Sequence, residues 1–260
     1  MGNKTLIFKQ VPVGMPVAGQ DLAVEDRPID IDKPPKGGLV VEILYTSFDP
    51  YLRGKMREPS KKSYSAAFEL DAPILEDSVA RVIQSDHPDF QQGDLVIAHL
   101  PVAEYARIPA GQPPMRMLPA VRKIENPYGL ELAHFIGVLG MPGLTAYSAL
   151  HRIGRPQKGE TIFVSSAAGA VGQLVGQIAK REGLRVVGSV GSDEKLDFIL
   201  AELGFDGGFN YKNEKAADAL PRLAPTGIDI YFDNVGGEQL EAALDHMNIG
   251  GRIAVCGMVS

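Results

Sequence analysis

The sequence predicts an α/β chain in two parts, a β-rich first half and a doubly wound parallel sheet in the second. Three observations carry this. Pro and Gly punctuate short extended runs up to residue 128. From about residue 130 helical and extended segments alternate, as parallel strands with crossover helices must. And the run TIFVSSAAGAVGQLVGQIAKREG is a β-branched strand, a Gly-containing turn and a helix in succession. The expected domains are residues 1–128 and 129–260.

In the first domain the extended runs are 5–9, 39–47, 78–84, 94–98 and 104–108. Alternation over 79–83 and the Gly93-Asp94 turn favour strands with tight connections. In the second, residues 131–139 and 145–153 read as helices interrupted at Met141-Pro142-Gly143. Strands follow at 161–165, 185–189, 208–211, 228–233 and 252–256, separated by helices at 171–182, 195–203, 216–223 and 237–247.

With 45% hydrophobic and 22% charged residues, the 260-residue chain has the balance of a globular protein with a real core. A net charge of −6 without clustered Lys or Arg argues against a nucleic-acid partner. The single cysteine, Cys256, can form no intrachain disulfide and no sulfur-rich zinc shell, so an intracellular, metal-free chain is expected. The opening MGNKTLIFKQ lacks the apolar core of a signal peptide. Residues 132–150 carry no charge of the Asp, Glu, Lys or Arg type, but Gly137, Gly140, Pro142 and Gly143 break the stretch, so no membrane span is expected and the location is cytoplasmic.

Ala167, Gly169 and Gly172 occupy the three small-residue positions of a dinucleotide fingerprint, with Ala in the first place. A bare Gly169 lets the main chain approach a diphosphate, Gly172 lets the helix pack closely, and the helix opening through Ala170 and Val171 offers free amides and a partial positive charge. A Gly-rich turn alone also fits an ordinary helix start. An NAD enzyme usually places an acid at the end of the next strand, about 20 residues on, to hold the ribose hydroxyls. Here RVVGSVGS ends without one, and Ser192, Lys195 and Tyr211 follow, groups that suit a 2′-phosphate. NADP(H) is therefore favoured. Asp193 keeps NAD open, and Ser192 also reads as a plain helix cap.

Six further segments share order and spacing with one known family: GMPGLTAY (140–147), AAGAVG (167–172), GSDEK (191–195), FNYK (209–212), YFDNVGG (231–237) and GRIAVCG (251–257). Together with DPYLR (49–53) they resemble the alkenal/one reductases, the leukotriene/prostaglandin-type branch of the zinc-independent medium-chain dehydrogenases/reductases. The resemblance spans almost the whole chain and is tightest in the second half. It implies a GroES-like β-rich domain followed by a Rossmann domain that binds NADP(H). It implies Met141, Gly143 and Thr145 beside the nicotinamide end, Lys195 and Tyr211 on the 2′-phosphate, Asn234 near the ribose, and Cys256 at the mouth of the last strand. Independently, Asn234 follows strand 228–233 at the carboxyl end, where open α/β sheets bind ligands, although an Asn before Gly-Gly also suits a turn.

No metal is expected: catalytic zinc needs three protein ligands, and the five histidines are scattered without paired spacing. Where zinc-dependent relatives carry Cys and His, this chain has Phe48-Asp49-Pro50-Tyr51. The resemblance implies NADPH-dependent reduction of the carbon–carbon double bond of an α,β-unsaturated ketone or aldehyde, by hydride transfer to the β-carbon. Tyr51 is the candidate catalytic, substrate-facing hydroxyl. A quinone reductase on the same scaffold, or a cofactor-binding protein with little catalysis, are the alternatives.

Two departures stand out. Relatives have a Gly-rich patch where this chain reads LEDS (75–78), so substrate preference does not transfer. Relatives also continue well beyond GRIAVCG into parts that line the substrate site and form a homodimer edge, whereas this chain stops at Ser260. A Rossmann domain truncated after its fifth strand would leave 253–255 as an apolar edge. The expectation is a piece of a longer polypeptide, or an edge covered by something else.

Overall fold

A computed structural model describes residues 1–111 and 120–259. The chain divides into two compact units, Met1–Ile136 and Gly137–Ser260.

The first unit is antiparallel. Its strands are β1 (Lys4–Phe8), β2 (Leu22–Asp26) and β3 (Leu39–Thr46) and, after the one-turn helix α1 (Tyr51–Lys55), β4 (Ala72–Pro73), β5 (Leu75–Ser85), β6 (Leu95–Pro101), β7 (Tyr105–Ile108) and β8 (Val121–Lys123). They form a five-stranded sheet in the order β7-β3-β5-β6-β8 and a three-stranded sheet in the order β2-β1-β4. Alternation puts Val41, Ala80, Val82, Val96 and Ala98 into one core. Phe8, Leu52, Phe68 and Ile74 form a second, into which α1 packs through Leu52. Neither α1 nor β2 is among the runs expected from the sequence. Both are five residues long, too short for periodicity to declare them.

The second unit contains α2 (Met141–Ala149), β9 (Thr161–Val164), α3 (Ala170–Arg181), β10 (Arg185–Val190), α4 (Asp193–Asp197), β11 (Gly207–Asn210), α5 (Ala216–Leu223), β12 (Ile228–Asp233), α6 (Gly237–His246) and β13 (Met247–Val255). The strands are all parallel in the order β11-β10-β9-β12-β13, the first five strands of a Rossmann sheet. Both faces are covered, and the strands alternate between them. Ile162, Val164, Val186, Ile230 and Phe232 pack with Val175 and Ala179 of α3, while Phe163, Val187 and Tyr231 pack with Leu220 of α5 and Ala243 of α6. The Phe163 and Tyr231 rings stack at 4.9 Å.

Three expectations are corrected here. The helix expected over 131–139 is a single 3-10 turn, Leu132–Phe135. Gly137 and Gly140 carry no side chain to hold a longer helix, and the Gly137 carbonyl turns back to accept the amides of Gly140 and Gly143 at 3.0 and 3.2 Å. Met141-Pro142-Gly143 then opens α2 instead of interrupting it, because proline in a first turn gives up no ladder bond. The last strand also begins earlier than expected, at Met247, which pairs with Ile228 before the register shifts; Gly250 and Gly251 hide it from the sequence pattern. No helix among the described residues is long and apolar enough to cross a membrane.

Asp206 clips α3 to the sheet. Its carboxylate takes Lys180 Nζ at 2.7 Å and the Val186 amide at 2.7 Å. Burial works to raise this carboxyl, but the Lys180 ammonium and the Val186 amide outweigh it and hold the group below the ordinary carboxylate range. A depressed folded-state value contributes stability above the unfolded pKa of about 3.9 and loses it as pH falls through the folded value. Asp206→Asn is thus expected to cost about 1 kcal/mol at pH 7. Urea melts of the two proteins should converge below pH 4, on the same carboxylate scale, and a gap independent of pH would contradict the role of the charge.

Candidate functional site

Four parallel strands, β9 to β12, end on one side of the second sheet, and the strand order reverses between β9 and β12. That reversal opens a crevice at the carboxyl ends. After β9 the chain turns sharply at Ser166, whose φ of +51° is left-handed and whose carbonyl accepts the Gly169 amide at 3.0 Å. Gly169 is extended, and the first bond of the α3 ladder runs from the Gln173 amide to Gly169 O at 3.0 Å. The amides of Ala170, Val171 and Gly172 stand ahead of that ladder at the positive end of the helix. A Cβ at Gly172 would overlap the Ser166 carbonyl oxygen and stand 2.9 Å from Ala167 Cα. Only glycine lets α3 start this close to the turn. Ala167 is buried against Gly188 of β10, where a Cβ would come within 2.6 Å of its methyl.

Across the crevice, Asn234 follows β12. Its amide donates to Ser165 Oγ at 2.9 Å and its side-chain Nδ2 to Ser165 O at 2.7 Å, which ties the ends of β9 and β12 together. Beneath it, buried Asp233 accepts the Tyr231 hydroxyl at 2.7 Å and the amides of Val235 and Gly236 at 3.0 and 2.8 Å, all on Oδ1. Burial first, and then the Asp233 contact, push the Tyr231 phenol far above its ordinary value, so it stays a neutral donor.

These ends enclose a cavity of ≈ 460 Å³ whose lining includes Ser166, Gly169, Gly191, Lys195, Tyr211 and Lys215. The Tyr211 hydroxyl lies over Gly191, where a Cβ would be 2.9 Å away. Asp193, the acid that leaves NAD open in the sequence, does not line the cavity: its Oδ1 accepts the side-chain amides of Asn210 and Asn213 at 2.8 and 3.1 Å.

A family model described as the N-terminal domain of oxidoreductases matches residues 4–115, and one described as zinc-binding dehydrogenase matches residues 170–260. The NADP-dependent oxidoreductase RED1 of Cochliobolus heterostrophus is 54% identical over 99% of this chain and 72% of its own length. A protein of Nicotiana tabacum named 2-alkenal reductase (NADP(+)-dependent) is 46% identical over 100% of this chain and 74% of its own length. This chain belongs to the zinc-independent medium-chain dehydrogenase/reductase family, in its alkenal-reductase branch. Among solved structures, CurA from Vibrio vulnificus superposes with a TM-score of 0.88 at 36% identity, covering 99% of this chain and 72% of that one. A second CurA structure, 35% identical with the same TM-score over 98% of this chain and 72% of that one, is in complex with NADPH.

This medium-chain reductase is an NADP-dependent oxidoreductase, and its second unit fits the cofactor. The close start of α3 that glycine at 172 allows, the amides ahead of its ladder beside Gly169, and two lysines on one cavity are what a diphosphate and an extra phosphate require. Of the residues expected from the sequence, Gly169, Lys195 and Tyr211 come together on the cavity, while Ala167, Ala170, Val171 and Gly172 form the turn and helix start beside it. Ser192 caps α4, accepting the Lys195 amide at 3.3 Å, and does not line the cavity. Met141, Gly143 and Thr145 lie on α2, away from the cavity. Gly143 borders a separate groove of ≈ 670 Å³ with Val138, Leu144, Tyr147 and Ile178. Cys256 follows β13 as an exposed residue whose amide donates to Asp233 O at 2.8 Å. Desolvation around the sulfur, with Asp233 nearby, holds its thiol above the ordinary value, which disfavours the nucleophilic thiolate.

Lys215 and Gln239 also line the cavity, and sequence reasoning missed both. Gln239 is buried and accepts the Ser189 hydroxyl at 2.6 Å. Neither belongs to a local motif; the fold alone brings them to the strand ends.

In the first unit, the Tyr51 hydroxyl donates to Glu76 Oε2 at 2.6 Å, and Glu76 Oε1 accepts the Asp77 amide at 2.9 Å. His99 Nδ1 pairs with Asp77 Oδ1 at 3.0 Å across β5 and β6. Among the described residues, Glu76, Asp77 and His99 are the one trio whose donor atoms could meet on an ion. Those donors already bond to one another's chain and to Tyr51. Glu76 comes from the LEDS segment, and its meeting with Tyr51, 25 residues earlier, has no signature in the local sequence.

Proposed function

We propose that this NADP-dependent oxidoreductase reduces the carbon–carbon double bond of α,β-unsaturated ketones and aldehydes. The observation that carries the reading is the match, 46% identical over the whole of this chain, to the tobacco protein named 2-alkenal reductase, joined to a cavity with the charge and shape for NADPH. Solved structures named as quinone oxidoreductases are 24% identical or less and speak to the fold alone.

When bound, NADPH supplies the hydride. In this reading the amides of Ala170, Val171 and Gly172 hold the diphosphate, Lys195 and Tyr211 take the 2′-phosphate, and Asn234 stands by the ribose. Met141, Gly143 and Thr145 are assigned to the nicotinamide end. Alignment is the protein's main contribution, together with a donor for the enolate oxygen that develops as hydride adds to the β-carbon. Tyr51 is assigned that task. Its proton is committed to Glu76 in this structure, so donation to a substrate requires the hydroxyl to change partner.

The test is NADPH oxidation by a panel of enones, enals and quinones, with NADH as control, for the natural chain and for Tyr51→Phe. Turnover of enones and enals is expected. Tyr51→Phe should lower kcat/KM for them by about 100–1,000-fold, the worth of one donor to a developing oxyanion. Consumption with quinones alone would favour the quinone reductase, and tight NADPH binding without any oxidation would favour a binding protein. An unaltered kcat and KM in Tyr51→Phe would remove that residue from the mechanism.

A further inference from the structure

We propose that Lys215 is a second cationic determinant of NADPH selection, acting with Lys195 and Tyr211 on the 2′-phosphate. The inference rests on the NADP assignment and is independent of the substrate. Three separate segments bring these side chains to one cavity: Lys195 from α4, Tyr211 from the residue after β11, and Lys215 from the cap of α5.

The charges around them are arranged to leave both ammonium groups uncommitted. Lys9, Lys123 and Lys180 pair with carboxylates, but among the described residues the ammonium groups of Lys195 and Lys215 have no ion pair or hydrogen bond. Two of the acids close in sequence are occupied elsewhere. Glu214 forms a two-oxygen contact with Arg222 at 2.7 and 2.8 Å, and Asp193 is held by Asn210 and Asn213. The one carboxylate lining the cavity is Glu238, in the first turn of α6, where it faces that helix's positive end. Two unpaired cations on one cavity repel each other, and a doubly charged phosphate between them relieves that repulsion. A ribose hydroxyl in the same place would not.

The experiment titrates the full chain with NADPH and NADH, following nucleotide fluorescence at low and high salt, for the natural protein, Lys215→Ala, Lys215→Glu and Lys195→Ala. Competition by 2′,5′-ADP against ADP isolates the phosphate. Lys215→Ala is expected to raise the Kd for NADPH and 2′,5′-ADP about tenfold or more, the size of one charge-assisted contact. Lys215→Glu should raise it further, with the Kd for NADH and ADP moving less than about twofold, as expected of a group that reads only the phosphate. The advantage of NADPH should also shrink as salt rises. Equal losses for NADPH and NADH, or no change in either variant, would overturn the proposal.

Discussion

Gly172→Val is expected to weaken NADPH binding by about a hundredfold or more, the loss of two charge-assisted contacts. A side chain at this position overlaps the Ser166 carbonyl oxygen, a backbone atom in a turn whose left-handed residue has little room to adjust. The gain from burying a valine is about 1–2 kcal/mol at most, too little to offset overlap with main chain. The first turn of α3 must therefore retreat, and it carries the amides of Ala170, Val171 and Gly172 away from the diphosphate. Gly172→Ala presents the same Cβ without the branches and should fall between. Fluorescence titration with NADPH, alongside circular dichroism to confirm that the helices persist, checks the claim. A folded Gly172→Val protein whose Kd stays within about threefold, less than half the expected loss on a logarithmic scale, would mean that the helix start does not grip the cofactor.

The second large effect is on stability. Asp233→Ala is expected to lower the unfolding free energy by about 3–4 kcal/mol, because buried donors left without an acceptor cost about 1–3 kcal/mol each. Oδ1 alone accepts the Tyr231 hydroxyl and the amides of Val235 and Gly236, and both Asp233 and Tyr231 are 0% exposed. Removing the carboxylate strands all three beneath the crevice. Tyr231→Phe removes one donor while keeping the ring stacked on Phe163, and should cost only about 1 kcal/mol. Urea unfolding of the two variants against the natural chain tests this. Equal losses in both would show that the phenol contact, and not the turn amides, carries the network.

Most of the second unit was legible because its strands and helices follow simple periods and lie where local chemistry declares them. The helix 216–223 and the strand 228–233 stand at the residues read from the sequence. Two boundaries that moved, at the 3-10 turn Leu132–Phe135 and the start of β13, lie where glycine removes the side chains on which a pattern depends, while the helix read over 195–203 begins earlier, as α4 from Asp193.

By itself the sequence determined the order of elements, the small residues of the nucleotide turn and the absence of an acid at the end of β10, because each is a property of neighbours along the chain. Only the tertiary structure decided which charges count. It sets Asp193 against Asn210 and Asn213 and Glu214 against Arg222, places Lys215 and Lys195 on one cavity, and brings Tyr51 to Glu76. Side chains far apart in sequence interact through distance and burial, and no local pattern encodes those until the strands are side by side.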